Sequence, residues 1–294
     1  MTAKIIDGNA VARHVRTEWK KRVDALRARG VTPGLAVVMV GESPASRLYV
    51  RNKVRACAEV GLHSETHEFS ADSDEAPIIA RIEELNRNPR IHGILVQLPL
   101  PPHLETRHLL GAISIEKDVD GFHLYNVGGL VVGENNIFPP CTPYGVQCLL
   151  EYENIPIEGQ NVVVVGASNI VGKPMALMLM AKDATVSICH IKTRDLAQYT
   201  ILADILILAA RCPGLITAPI VKRGAAVIDV GINRLPDGRL TGDVDFDSVK
   251  EKAAYITPVP GGVGPMTVTM LICNTVAAAE SHAAKQAEKR TLPA

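Results

Sequence analysis

No charge of one sign dominates this chain. Lys plus Arg and Asp plus Glu number 31 each in 294 residues, so the formal net charge is zero. That balance removes the electrostatic argument for a nucleic-acid partner or an anionic membrane surface. Paired cysteines are lacking as well. Cys57, Cys141, Cys148, Cys189, Cys212 and Cys273 form no C-x-x-C pair, which argues against a zinc site or a thioredoxin-like motif. Most lie among apolar residues, where a free thiol behaves as a small hydrophobe, and this usage fits a reducing compartment. The apolar run at 201–210 is broken by Asp204 and is too short to span a bilayer. The opening residues MTAKIIDGNAVARHV carry no signal-peptide core. His63 and His67 are four apart among Glu neighbours in a strand-to-loop region and read as surface residues, as do His103 and His108, so no metal is expected. Internal repeats are missing. The expectation is a cytoplasmic protein with no membrane and no nucleic-acid partner.

What is present is an apolar fraction of 47% against a charged fraction of 21%, a globular composition. The length allows two ordinary domains or one large one. Val11, Val15, Trp19, Val23 and Leu26 recur at three- and four-residue steps, predicting a helix that Gly30 can end. LAVVMVG (35–41) reads as a buried strand, 44–60 and 75–87 as helices, and IHGILVQLPLP (91–101) as an apolar strand stopped by prolines. Strand and helix alternate, which implies a parallel sheet covered on both faces. Residues 111–141 are rich in Gly, Asn and Pro and weakly periodic, and a domain boundary is expected near their end. A helix that Thr142 can cap follows. The alternation then resumes with strand 161–165, helix 172–181, strand 184–190, a short helix, and strands 204–209 and 225–230. A last long helix over 266–284, with Pro265 at its first turn, is placed back on the first domain. The fold class expected is α/β in two domains, the second Rossmann-like.

VVVVGASNIVGKP (162–174) reads as a strand running through a glycine turn into a helix. Unpaired N–H groups and the helix dipole at such a corner attract an anion. The spacing, Gly166-x-Ser168-x-x-x-Gly172, departs from G-x-G-x-x-G, and a plain strand–turn–helix corner fits it too. In an NAD-binding unit an acidic residue about 20 residues on accepts from the ribose. Here the next strand ends ICHIKTRD (188–195), with His190, Lys192 and Arg194 and no carboxylate before Asp195. Basic residues would attract a 2′-phosphate, so NADP is favoured over NAD.

The first domain carries candidate chemistry. Tyr49 and Lys53 are four apart and share a helix face, at the margin of the apolar stripe Val50, Val54 and Cys57. A lone Lys on a helix is most often solvated, while a neighbouring Tyr can stack on a flat ligand. Gln97 ends the apolar strand and either reaches into a site or caps a loop. Of Asp118 and Asp120 in KDVDG, one is expected to be a turn residue and the other to accept paired donors from a heterocycle. PGGVGP (260–265), with Gly262, permits close backbone approach to a ligand or forms a hinge.

Taken together, SPASRLYVRNK, VQLPLP, KDVDGF, PCTP, GASNIVGKP, DVGIN and TPVPGGVGPMT resemble the bifunctional methylenetetrahydrofolate dehydrogenase/methenyltetrahydrofolate cyclohydrolase family. They stand in the family's order along most of the chain, from residue 43 onward. The resemblance implies that NADP takes a hydride from the one-carbon bridge of methylenetetrahydrofolate, and that water then opens the methenyl cation to 10-formyltetrahydrofolate. Lys53 matches the key cyclohydrolase group: a neutral amine accepts a proton from water, and burial beside a cationic substrate favours that neutral form. Gln97 matches the residue that hydrogen-bonds and tunes it, Tyr49 the one stacking on folate, and Asp120 the one pairing with the pterin's donor edge. Gly166, Ala167 and Ser168 match the cofactor loop, and Ile232 a cofactor-contacting position. Hydride transfer itself requires positioning rather than an acid–base residue. A homodimer through the second domain is implied. The domains implied are 1–141 plus 266–294 for folate and catalysis, and 142–265 for NADP. Three positions depart from the family pattern: Ala167 where Arg is frequent, Ile191 where a small polar residue is frequent, and Arg211 with Cys212 in AARCPG where A-x-G-x-P-G is usual. All three lie in the cofactor half. An NADP-dependent dehydrogenase of another small metabolite would share the cofactor half but need no Tyr49, Lys53, Gln97 and Asp120 set, and the intact Lys53 argues against a folate- or NADPH-binding protein without turnover.

Overall fold

The computed structural model describes residues 2–41, 43–134 and 138–291, which divide into two compact units. One takes in the described residues of 14–129, 134–139 and 268–291, the other those of 1–13, 130–133 and 140–267. In chain order the elements begin with β1 (Lys4–Ile5), α1 (Gly8–Ala28), β2 (Gly34–Val40), α2 (Pro44–Val60), β3 (His63–Phe69), α3 (Glu75–Arg87), β4 (Gly93–Val96), α4 (Thr106–Gly111) and α5 (Leu124–Val132). There follow α6 (Cys141–Tyr152), β5 (Asn161–Val165), α7 (Gly172–Met180), β6 (Thr185–Cys189), α8 (Ala197–Thr200), β7 (Ile205–Leu208) and β8 (Ala226–Asp229). The chain closes with β9 (Asn233–Arg234), β10 (Leu240–Thr241), α9 (Phe246–Val249), β11 (Tyr255–Ile256) and α10 (Val263–Thr291).

The first unit holds a parallel sheet in the order β3-β2-β4. Every residue of the central strand β2 is buried, which is why GLAVVMV is apolar throughout rather than alternating. Ile78, Ile82 and Leu85 of α3 recur at four and three residues and pack on Ala36, Val38, Ile94 and Val96. For HSETHEF the sequence expectation goes no further than a strand-to-loop region around His63 and His67. As β3 it pairs with β2 over its full length, from Gly34↔His63 to Val40↔Phe69. Backbone pairing from a buried neighbour holds this polar edge strand, so its side chains carry little signal. His63 and His67 flank Glu65 on one face by the period of two, with their Nε2 atoms 3.4 and 2.9 Å from its carboxylate. The strand expected over 91–101 is confined to β4, because Pro99, Pro101 and Pro102 supply no N–H for a ladder. Two helices, α4 and α5, occupy the stretch 106–132, where Gly128 and Gly129 and short length hide the helical period. From Val268 onward α10 belongs to this unit, as a helix returning to the first domain should.

In the second unit six parallel strands run in the order β1-β11-β8-β7-β5-β6. The strands expected at 161–165, 184–190, 204–209 and 225–230 are β5 to β8. Strands β1 and β11 have two residues each, too short for a pattern, and residues up to Arg13 join this unit instead of the first domain in which the sequence expectation placed them. Thr142 is not the cap of α6. The helix starts at Cys141 with Pro140 in the cap position, and Thr142 Oγ1 lies 3.0 Å from Thr267 Oγ1. Helix α10 likewise begins at Val263, three residues before the expected start, with Pro265 in its first turn. Strand β5 lies between β6 and β7, so the chain reverses its direction of travel across the sheet at β5. The crevice beyond the carboxyl ends of β5 and β7 is therefore the switch point where such sheets bind ligands.

Candidate active site

In the first unit, Ser43 caps α2 by accepting the Ser46 N–H on Oγ at 3.5 Å, Pro44 starts it, and Gly61 at φ 85° ends it. Val50, Cys57 and Val60 form its buried stripe. Lys53 is buried too, at 8% exposure, although Arg51, Asn52 and Arg55 beside it are exposed. A lysine is rarely enclosed to this degree, since taking an ammonium out of water is costly without a polar partner. Its Nζ donates to Gln97 Oε1 at 3.0 Å. Gln97 directly follows β4, its N–H donates to Val38 O at 2.8 Å, and its Nε2 donates to Leu98 O at 2.7 Å. The Leu98 carbonyl needs a donor, so the amide oxygen is left facing Lys53. One turn away, burial pushes the Cys57 thiol up to about 12 against the pull of the Lys53 charge, which keeps that thiol protonated and inert. Tyr49, four residues before Lys53, is exposed at 38%.

The KDVDG loop runs beside β4, with Asp118 bridged in parallel to Ile94. Asp118 is the turn residue. It is 1% exposed, and its carboxylate accepts the N–H groups of Phe122 and His123 at 3.3 and 2.8 Å and the Asn126 amide at 2.7 Å. Asn274 of α10 pins the same loop by donating to Val119 O at 2.8 Å and to Pro139 O at 3.0 Å. Asp120, two residues on, is half-buried in the turn closed by the Gly121 N–H on Asp118 O at 3.2 Å. In this unit the fold brings Lys53 and Gln97 into contact and places Asp120 in the turn that follows the Asp118 bridge to β4.

In the second unit, the Gly166 loop is shaped by backbone crossing. Gly166 has φ 127°, and a Cβ there would overlap the Ala209 carbonyl oxygen. A Cβ on Gly172 would overlap the Gly166 carbonyl oxygen, so α7 reaches the sheet only because both positions are glycine. Ser168 Oγ accepts the Val171 and Gly172 N–H groups at 3.2 and 3.4 Å. The hydroxyl caps the helix and retains its own hydrogen as a donor for an anion. Ala167 beside it is half-buried. At the tip of β6, His190 Nδ1 accepts the Lys192 N–H at 3.1 Å, which leaves Nε2 as the ring's donor. Lys192 and Arg194 are exposed there. Asp195, also exposed, accepts the Ala197 N–H on Oδ1 at 3.0 Å in the first turn of α8. The donor set therefore suits a phosphorylated ribose better than a bare one.

Beyond β7 the backbone turns at Arg211, whose φ of 57° is the left-handed conformation that glycine adopts freely. This explains why a glycine suits the position and how arginine still fits the turn. Ile232, beyond β8, is 43% exposed. Gly262 has a packing reason of its own, because a Cβ there would come within 2.6 Å of Pro258 O and 2.7 Å of Thr257 Cβ. Two buried carboxylates, Asp229 and Asp243, tie these turns together and escape any spacing rule. Their one sequence trace is a glycine close to each, in DVG and GDV.

Residues 6–120 match the tetrahydrofolate dehydrogenase/cyclohydrolase, catalytic domain, and residues 140–283 match its NAD(P)-binding domain. The bifunctional protein FolD of Nitrosospira multiformis is 63% identical over 97% of this chain and 99% of its own length. Among solved structures, the FolD methylenetetrahydrofolate dehydrogenase/cyclohydrolase of Campylobacter jejuni is 48% identical, with a TM-score of 0.94 over 95% of this chain and 99% of that one. The FolD of Trypanosoma brucei, solved with NADP cofactor and inhibitor, is 40% identical, with a TM-score of 0.92 over 96% of this chain and 98% of that one. Matches to both domain types, together with relatives covered almost end to end, establish that the chain belongs to the tetrahydrofolate dehydrogenase/cyclohydrolase family.

Proposed function

We propose that this chain oxidises 5,10-methylenetetrahydrofolate with NADP and hydrolyses the resulting methenyl cation to 10-formyltetrahydrofolate. The observation that carries the hydrolytic half is the buried Lys53–Gln97 pair, joined at 3.0 Å. An amine held in place and out of bulk water takes a proton from the water that attacks the methenyl carbon. Gln97, itself anchored on Leu98, orients that amine. Tyr49 offers an aromatic face to the folate ring, Asp120 accepts from the pterin's donor edge, and Gly262 allows close approach of the substrate.

NADP, when bound, supplies the hydride acceptor. Gly166, Ala167 and Ser168 would receive its phosphates at the start of α7, His190 its 2′-phosphate, and Ile232 its nicotinamide half. The solved Trypanosoma relative with NADP and the exposed Lys192 and Arg194 at the β6 tip support this choice over NAD. Folate is assigned to the unit built on 14–129, 134–139 and 268–291, and NADP to the unit holding 140–267, with 1–13 grouped with the latter.

We further infer a cytoplasmic homodimer that pairs through the second unit. Strand β6 is an open edge of its sheet and exposes Ile188 at 42%, with Ile191 beyond it at 96%. Among the described residues no helix is long and apolar enough to cross a membrane. Light scattering that returns the mass of one chain would refute the dimer, and cell fractionation tests the compartment.

Loss of the near-ultraviolet absorbance of methenyltetrahydrofolate, followed with the wild-type chain and Lys53→Met, tests the function. The wild type accelerates the loss and the variant does not, while the variant still binds folate. A Lys53→Met variant with unchanged turnover, or a tenfold preference for NAD over NADP, would overturn the corresponding half of the proposal.

A further inference from the structure

Asp243 is fully buried, at 0% exposure, and no step of the reaction uses it. Its carboxylate nevertheless accepts four N–H donors from two separate turns. Oδ2 takes the Ala210 and Arg211 N–H groups at 2.7 and 3.0 Å, and Oδ1 takes the Cys212 N–H at 2.8 Å and the Asn233 side-chain amide at 2.9 Å. The first three donors belong to the turn leaving β7, and the fourth to the turn leaving β8. A second carboxylate completes the knot. Asp229, at the end of β8, accepts Gly231 N–H at 2.9 Å, Asp243 N–H at 3.1 Å and Val244 N–H at 2.9 Å. The glycines are reciprocal: a Cβ on Gly231 would overlap the Asp243 carboxylate, and one on Gly242 would overlap the Asp229 carboxylate.

We propose that Asp243 is a positioning residue for NADP, holding the β7 and β8 exit turns at a set spacing and keeping Arg211 in its left-handed conformation. Ile232, which stands between Gly231 and Asn233, is the exposed apolar residue that this arrangement presents. The Ala209 carbonyl just before the first turn is the atom that forces Gly166 to lack a side chain. The β7 turn thus borders the phosphate loop at the switch point, the β8 turn is tied to it through Asp243, and a shift of either would misplace the cofactor without touching the Lys53 pair. A non-glycine residue at φ 57° is retained only where its surroundings hold it, and three consecutive N–H bonds to one carboxylate do so. The inference rests on the assignment of the cofactor to the carboxyl ends of β5, β7 and β8.

Asp243→Asn keeps the shape but turns an NH2 group toward backbone donors. The dehydrogenase KM for NADP rises by about tenfold, the loss expected for charge-assisted bonds. Cyclohydrolase kcat/KM, measured without NADP, stays unchanged. Arg211→Gly placed in the Asp243→Asn background recovers a large part of the lost affinity, because glycine adopts the left-handed turn without help. An unchanged KM, a parallel fall in both activities, or no recovery from the second substitution would each overturn the proposal. Should Asp243→Asn fail to fold, Asn233→Ala removes one donor only and raises KM for NADP by about threefold, again without change in cyclohydrolase. Ser168→Asp separates this inference from the assignment beneath it. Aspartate still caps α7 but repels a phosphate, so wild-type KM in Ser168→Asp refutes the cofactor loop. A raised KM in Ser168→Asp beside a normal one in Asp243→Asn refutes the role of Asp243 alone.

Discussion

Gln97 and Gly166 each follow the last residue of a parallel strand, β4 in one unit and β5 in the other. Beyond β4 the chain places an amide side chain, and its partner Lys53 lies 44 residues earlier on a helix. Beyond β5 it places no side chain at all: Ala209 fills the space a Cβ on Gly166 would need, and the Gly166 carbonyl fills that of a Cβ on Gly172. One site is made of polar side chains held by other side chains. The other is made of backbone, with glycines admitting the crossings and two carboxylates clamping the turns. A side-chain site tolerates changes of nearby volume but is lost with one functional group. A backbone site has few groups to lose, yet one added methyl displaces it.

The largest expected effect challenges the backbone side of this contrast. Gly172→Ala should destabilise the second unit by on the order of 4 kcal/mol, since the new methyl meets backbone rather than a flexible side chain. Chemical denaturation measures it, and a loss under about 1 kcal/mol would mean that the helix can slide.

Next comes the clamp. Burial pushes Asp229 up to about 6, and the Asp243 carboxylate adds to this, while the Asp243, Val244 and Gly231 N–H groups pull the other way. The folded chain therefore holds this proton more tightly than the unfolded one, where Asp titrates near about 3.9. The stability from this group is fully present below about pH 4 and is lost as pH rises to about 6, a change of roughly 3 kcal/mol. Asp229→Asn removes the titration. Its stability relative to wild type should climb over that window and then level off, and a flat difference from pH 4 to 7 would contradict the assignment.

Gln97→Leu probes the side-chain half. Cyclohydrolase activity should fall by about tenfold to a hundredfold with a displaced pH profile, and the KM for NADP should not move. A matching loss in NADP affinity would blur the contrast between the two sites. The smallest effect is Arg211→Gly in the otherwise wild-type chain, which should stabilise by about 0.5 kcal/mol by removing the left-handed strain. Destabilisation instead would show that the arginine side chain makes a contact worth more than its backbone costs.

Much of the fold was legible in the sequence. The apolar runs of β2, β5, β7 and β8 and the spaced apolar residues of α1, α2 and α3 specify their elements locally, because continuous or periodic burial leaves a pattern. Strand β3 was only partly legible, since HSETHEF is held by the hydrogen bonds of β2 and not by its own side chains. Not legible were β1 and β11, two residues each, which are strands only because β11 pairs with β8 and β1 with β11. Of the candidate site, Lys53 and Tyr49 stood out by sharing a helix face. The choice between Asp118 and Asp120 as turn residue needed the three donors that converge on Asp118. Asp229 and Asp243 left no pattern, because their donors are backbone N–H groups that every residue possesses.

The sequence by itself determined the alternating α/β plan, the family motifs in order, and the glycines without which β5 could not meet α7. Those properties follow from local burial period and from the steric freedom of single residues. Only the tertiary structure decided that Lys53 is buried against Gln97, that Arg211 takes a glycine's conformation, and that one carboxylate joins two turns. Each of these depends on atoms far apart along the chain meeting at hydrogen-bond distance, and such a meeting has no counterpart in spacing along the sequence.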